Sequence, residues 1–96
     1  MSFIQIIEYE TDRPDDMMAA GEKRMAESGD TSFTRLATAA DRDNPGRYVT
    51  IVEFPSYEEA MANSAKPETT EMAAEFAAMC TSGPTFRNLD VRFARP

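Results

Sequence analysis

Histidine and tryptophan are absent from this 96-residue chain, and cysteine occurs once, as Cys80. Without imidazole there is no ordinary proton-transfer base near neutral pH. There is also no Ser-His or Cys-His nucleophile pair, and no common nitrogen ligand for zinc or haem iron. One thiol can neither close an intrachain disulfide nor build a thiolate metal cage, which suits a reducing cytoplasm. The four glycines stand apart at 21, 29, 46 and 83, so no glycine-rich loop cradles a phosphate. No calcium-loop pattern occurs either. Neither a cofactor nor a metal is therefore expected. Basic residues are scarce: 10 Lys and Arg against 17 Asp and Glu leave a net charge of −7. That balance argues against nucleic acid and against anionic membranes, both of which need clustered positive charge. No apolar run approaches the roughly 20 residues that span a bilayer. The start, MSFIQIIEYE, has no basic segment and meets Glu8, so no signal peptide is expected and a cytoplasmic location is.

What remains is an ordinary globular mixture, 42% hydrophobic and 28% charged, of a length that suits one domain with one core. Ser2–Glu10 is rich in β-branched and aromatic residues and reads as a strand. A helix follows, with Pro14 in its first turn and Asp15 and Asp16 at the positive end of its dipole. Met18, Gly21 and Met25 share one face of it at helical spacing, and Ser28–Asp30 ends it. Thr31–Ala40 reads as a second strand. In DNPGR, Pro45 and Gly46 fit the two central positions of a type II turn, which makes the strand RYVTIVEF antiparallel to its predecessor. Ser56 and Glu59 form a capping box for the next helix, which Pro67 should kink or divide. Met72, Phe76, Met79 and Cys80 continue its apolar stripe, Gly83-Pro84 stops it, and Thr85–Phe93 is a last strand.

The order β-α-β-β-α-β predicts an α+β, ferredoxin-like domain spanning 1–96 with a four-stranded antiparallel sheet. Right-handed crossovers place both helices on one side and make the strands from Phe3 and Tyr48 central. The other side then exposes one alternate set from each central strand. The choice is Phe3, Ile7 and Tyr9 or Ile4 and Ile6, and Tyr48, Val52 and Phe54 or Val49 and Ile51. Each large apolar side chain left in water forgoes about 1.5–3 kcal/mol. A second copy laid sheet against sheet is the expected cover, giving a homodimer.

This layout, with VEFPSYEEAMANSAKP in the second half, resembles the antibiotic biosynthesis monooxygenase family of dimeric α/β-barrel proteins. The resemblance lies in Glu53, Phe54, Ser56, Glu59 and Ala60. Haem-degrading members place a Trp near Phe54, an Asn near Gln5 and a His in the second helix. With no histidine here, haem cleavage is not expected. Cofactor-free members hold a polycyclic phenol between helices and sheet with Asn, Trp, Tyr and Arg side chains. A deprotonated, electron-rich phenol can reduce oxygen itself if the protein excludes water, orients the ring and stabilises the anion.

The resemblance implies Asn63, Tyr57 and Gln5 as catalytic candidates. Phe54, Met61, Phe76, Arg87 and Asn88 are candidates for holding a small aromatic or apolar substrate. Each has a plainer alternative. A helical Asn is usually solvated, Tyr57 packs with a wet tip, Arg87 pairs with a surface acid, and the Met and Phe stripe is core. Glu8 and Glu53, on neighbouring strands, could share a proton if adjacent. Three functions fit: a cofactor-independent monooxygenase, a non-catalytic ligand-binding or dimerisation module, and a cyclase or isomerase on the same scaffold.

Overall fold

The computed structural model describes residues 2–28 and 32–95. The chain runs through β1 (Phe3–Glu10), α1 (Pro14–Ser28), β2 (Arg35–Ala40), β3 (Arg47–Phe54), α2 (Tyr57–Ser64), α3 (Pro67–Met79) and β4 (Ser82–Asp90). The strands form one sheet in the order β2-β3-β1-β4, every pair antiparallel. This is the ferredoxin-like α+β arrangement, with β1 and β3 central as expected. No helix among the described residues is long and apolar enough to cross a membrane. The expected helix stop at Gly29-Asp30 lies outside the described residues, and the second strand, expected from Thr31, begins only at Arg35.

Local chemistry accounts for most boundaries. In the β2–β3 hairpin, Arg47 N–H donates to the Asn44 carbonyl at 3.1 Å and Gly46 sits at φ 88°, as a type II turn requires. Asp41 accepts from the Asn44 side chain at 3.0 Å and from Asp43 N–H at 2.9 Å. The Asn44 bond, then the backbone bond, hold its carboxyl below the usual carboxylate range. Ser56 Oγ accepts from Glu59 N–H at 3.2 Å and starts α2. Pro67 does more than bend the second helix. It forces Lys66 into an extended conformation and begins α3 as its first residue.

Three expectations need correction. The inward stripe of α1 is displaced by one residue. Met17 is buried, whereas Met18 and Met25 are exposed. Gly21 lies against Phe76, and Arg24 reaches α3, donating to Glu75 Oε2 at 2.7 Å. The last strand starts at Ser82 rather than Thr85, because Thr81 N–H donates to the Glu10 carbonyl at 2.7 Å and draws the chain onto β1. It ends at Asp90, not Phe93. Gly83-Pro84 therefore belongs to a strand, and α3 has already stopped at Met79 with Cys80 as its cap.

The register decides the two faces. Phe3, Gln5, Ile7 and Tyr9 lie opposite Phe54, Val52, Thr50 and Tyr48. Phe3, Val52, Phe54 and the α2 residue Ala60 form the buried cluster, with Ile7, Phe33 and Met61 packed on it. Strand alternation then turns Ile4, Ile6, Val49 and Ile51 to the uncovered face, where Leu89 lies opposite Ile4 and Ala37 opposite Ile51. Ile51 and Leu89 are exposed there.

Gly83 has φ 82°, and a Cβ there would stand 2.9 Å from the Glu8 carbonyl oxygen and 3.2 Å from Tyr9 Cα. Both obstacles are backbone, so Gly83→Ala should destabilise the fold by roughly 1–3 kcal/mol. At about 4–8 °C per kcal/mol, calorimetry should register a clear fall in Tm. Gly21→Ala, whose Cβ would meet only Phe76 Cζ at 3.4 Å in a helix interior, should leave Tm unchanged or raise it.

Candidate functional site

Two groups of polar side chains stand on the helix side of the sheet. The first is an amide pair. Gln5 on β1 lies beside Asn88 on β4, and its Nε2 donates to Asn88 Oδ1 at 3.1 Å. That bond uses one donor of Gln5 and one acceptor of Asn88. The second Gln5 N–H and the Asn88 amino group remain for water or a ligand. Phe3 precedes Gln5 on this face, and the Tyr57 ring meets it edge-on at 5.4 Å with its phenol in solvent. Gln5, Asn88 and Tyr57 thus gather at one end of the sheet.

The other candidates are distributed differently. Asn63 sits on the β2 side, where its Oδ1 accepts from Ser32 Oγ at 3.3 Å. Phe54 is buried with its ring centre 6.5 Å from that of Phe3, and Met61 packs on the same cluster. Phe76 lies between α3 and α1, against Gly21. Arg87 is opposite Ile6 and so faces away from the helices, on the opposite side of the sheet from Gln5 and Asn88. Glu8 lies opposite Val49 and Glu53 opposite Ile4, so the two carboxylates do not adjoin.

The second group lies at the far end of β1, where four residues at about 3.3 Å each put Tyr9 roughly 13 Å from Gln5. Here α1 begins and stands off the sheet, leaving a cleft of about 290 Å³. Tyr9 and Tyr48 form one wall, their rings nearly parallel at 18° and 6.0 Å between centres. Pro14, Asp15, Met17 and Met18 line it from α1. Tyr9 Oη and Thr50 Oγ1 are 3.2 Å apart, and Thr50 Oγ1 and Thr38 Oγ1 2.9 Å, so three hydroxyls run in a chain across β1, β3 and β2.

Thr11 secures this end. It is buried, donates through Oγ1 to the Met79 carbonyl at 2.7 Å and accepts from Arg13 N–H at 3.0 Å. Its own N–H donates to the Gly46 carbonyl at 3.0 Å. One side chain and its backbone therefore join β1, the hairpin turn, α1 and α3. Tyr9, Thr11, Thr38 and Thr50 were not singled out as site residues from sequence. The signal for them was thin: polar residues at alternate positions of otherwise apolar strands.

Among the described residues no three Cys, Asp or Glu side chains gather as a metal site. Cys80 is half-buried and donates through Sγ to the Phe76 carbonyl at 3.3 Å. Burial pushes its thiol pKa up, opposite to the shift an activated nucleophile needs.

No family model matches the chain. No curated protein matches it in sequence either. Solved structures do match in shape. SnoaB, a cofactor-independent oxygenase from Streptomyces nogalater, superposes in its N63A variant with a TM-score of 0.82. The identity is 18%, covering 99% of this chain and 97% of that one. A protein from Chloroflexus aurantiacus assigned to antibiotic biosynthesis monooxygenases has a TM-score of 0.76 at 12% identity, covering 100% and 98%. Rv0793 from Mycobacterium tuberculosis has a TM-score of 0.78 at 13% identity over all of both chains. The chain has the fold of the antibiotic biosynthesis monooxygenase structures.

The thiol gives a direct check on the packing at the end of α3. Cys80 should react with iodoacetamide more slowly than a free cysteine at pH 8, and its rate should keep rising above the ordinary thiol pKa. A fast, pH-insensitive alkylation at neutral pH would contradict the arrangement around Sγ.

Proposed function

On a fold shared with a cofactor-independent oxygenase, we propose that the chain is a cofactor-independent monooxygenase of a small aromatic, polyketide-like compound held between helices and sheet. The observation that carries this reading is the largely apolar cleft on the helix side of the sheet, about 290 Å³ in volume and walled by aromatic and methionine side chains. Small-molecule sites have this composition: apolar walls with a few placed polar groups.

The chemistry needs little from the protein. An electron-rich phenol conjugated to a CH₂ group loses a proton to water and becomes an enolate. The enolate passes an electron to O₂, the radical pair joins as a C–O bond, and the hydroperoxide loses water. The CH₂ becomes C=O, one oxygen atom stays in the product and the other leaves as water. The side chains bind, orient the ring and stabilise the anion. In this reading a substrate reaching from the cleft along the helix side of the sheet places its enolate oxygen either at Gln5 with Asn88 or at Asn63, whose amino group is left over by its bond with Ser32; none of the three lines the cleft itself. Tyr57 is the phenolic donor. Phe54, Met61 and Phe76 form the apolar backing. Arg87, on the uncovered face, takes no direct part within one subunit.

The same reading includes a second copy of the chain. Ile4, Ile6, Val49, Ile51 and Leu89 make a continuous apolar strip across β4, β1 and β3. Soluble monomers rarely expose such a strip. A sheet-to-sheet homodimer covers it.

Two measurements test these statements. Purified protein treated with chelator should consume oxygen with a hydroxyanthrone substrate, and Asn63→Ala should slow turnover by about 10²-fold, the usual worth of one oxyanion donor. No uptake across a broad panel of phenols would overturn the oxygenase reading; saturable binding without product would favour the ligand-binding module. Turnover that persists without oxygen would favour an isomerase. Separately, light scattering should report a dimer for the native chain and a monomer for Ile51→Lys. A native particle of 10.7 kDa would overturn the dimer.

A further inference from the structure

We propose that the free edge of β2 is a pairing surface for the β2 edge of a second copy of the chain, the two strands running antiparallel about a two-fold axis at Thr38. This contact is separate from the sheet-to-sheet homodimer, because it uses the edge of the sheet and not its face.

The two edges of the sheet differ in their protection. An edge strand offers a row of unpaired N–H and C=O groups, which proteins blunt with charge, proline or a bulge. The β4 edge has all three: it carries Arg87, Asp90 and Pro84, and its register with β1 shifts between Glu8 and Glu10. β2 stands at the other end of the strand order, and among the described residues it pairs with β3 alone. From Leu36 to Ala40 it reads LATAA, with no charge, no proline and no shift of register. Leu36 is exposed there.

The direction of the backbone groups selects one register. Asp41 N–H donates to the Arg47 carbonyl at 2.8 Å, and this pair continues the register of β2 with β3. Alternation then turns the peptide groups of Ala37 and Ala39 toward β3 and those of Leu36, Thr38 and Ala40 outward. A two-fold axis at Thr38 sets Thr38 opposite itself and Leu36 opposite Ala40 of the second copy, in both directions. Those are the hydrogen-bonded positions, so every outward group is used and about six N–H···O bonds form. Moving the axis by one residue either way leaves Leu36 or Ala40 opposite a residue outside β2.

The same register matches charges. Arg35 falls opposite Asp41 of the second copy, twice by symmetry, on the face turned away from the helices. Arg35 makes no ion pair among the described residues. The Asn44 side chain and Asp43 N–H hold Asp41 as a carboxylate. Between these pairs Ala37 lies opposite Ala39, and both are too small to clash. Two copies at net −7 repel at long range, and the two Arg35–Asp41 pairs oppose that repulsion at the contact.

Disulfide trapping tests both the contact and its register. In full-length chains carrying Cys80→Ser, one receives Ala37→Cys and the other Ala39→Cys. The proposed register puts these positions about 4.5 Å apart between Cα atoms, within disulfide range. Each position lies diagonally, about 7–8 Å, from its own equivalent, which is beyond that range. So short an edge makes a weak contact, so the chains are mixed at about 0.5 mM. In about 0.15 M salt with a mild oxidant, a non-reducing gel should show linked dimer forming about tenfold faster in the mixture than in either chain alone. Arg35→Glu in both chains should slow trapping about tenfold, because two attractive pairs become repulsive. Arg35→Lys should restore it, and unchanged melting curves should show that both variants are folded. The proposal is overturned if the mixture fails to link, if either chain alone links as fast, or if Arg35→Glu leaves the rate unchanged. Failure to trap beside a dimer in dilute light scattering would discard the β2 edge and spare the sheet-to-sheet contact. Trapping by a chain that is monomeric at dilution would do the reverse.

Discussion

The pairing of β1 with β3 is the constraint from which the other features follow. Phe3 opposite Phe54 and Tyr9 opposite Tyr48 set which half of each strand meets the helices. A slip of one residue would exchange every side chain between the faces. It would bring Ile4 and Ile6 under the helices and put Phe3 and Tyr9 in water. The buried cluster of Phe3, Val52, Phe54 and Ala60 holds the pairing at one end of the sheet. Thr11, bonded to Met79 and to the hairpin turn at Gly46, closes the other.

Cover over the sheet is uneven, and the unevenness makes the cleft. α2 packs closely enough to bury Ala60, whereas no residue of α3 is fully buried. α1 contributes a single buried methionine, Met17, and is held to α3 largely through Arg24 and the carboxylates of Glu71 and Glu75. A more complete core would have filled the space beside Tyr9 and Tyr48. The polar residues Gln5, Asn88, Thr38 and Thr50 are tolerated on this face because they bond to one another across strands, which removes most of the cost of partial burial.

Features whose cause lies within a few residues were legible in the sequence. The type II turn at Pro45-Gly46, the Ser56 cap and the break at Pro67 each follow from one side chain and its immediate neighbours. The βαββαβ order followed from summing them. The inward stripe of α1 was misjudged by one position because Met17 and Met18 are equally apolar, and only the sheet decides which points in. The start of β4 was misplaced because the bond from Thr81 to Glu10 joins residues far apart in sequence. The candidate site shows the same division. Gln5 and Asn88 were each named, but their contact spans 83 positions. The hydroxyl chain was missed because Tyr9 and Thr50 are 41 apart.

By itself the sequence determined the elements, their order, and the presence of more apolar strand surface than two helices can cover. It also removed imidazole chemistry outright. Only the tertiary structure decided which strand face is covered, where a space remains, and which polar side chains share it. Periodicity reports that a strand has two faces, but the choice between them is made by register, and register depends on contacts between distant residues. That is why Arg87 and Asn88, adjacent in the chain and alike in the sequence reading, stand on opposite sides of the sheet.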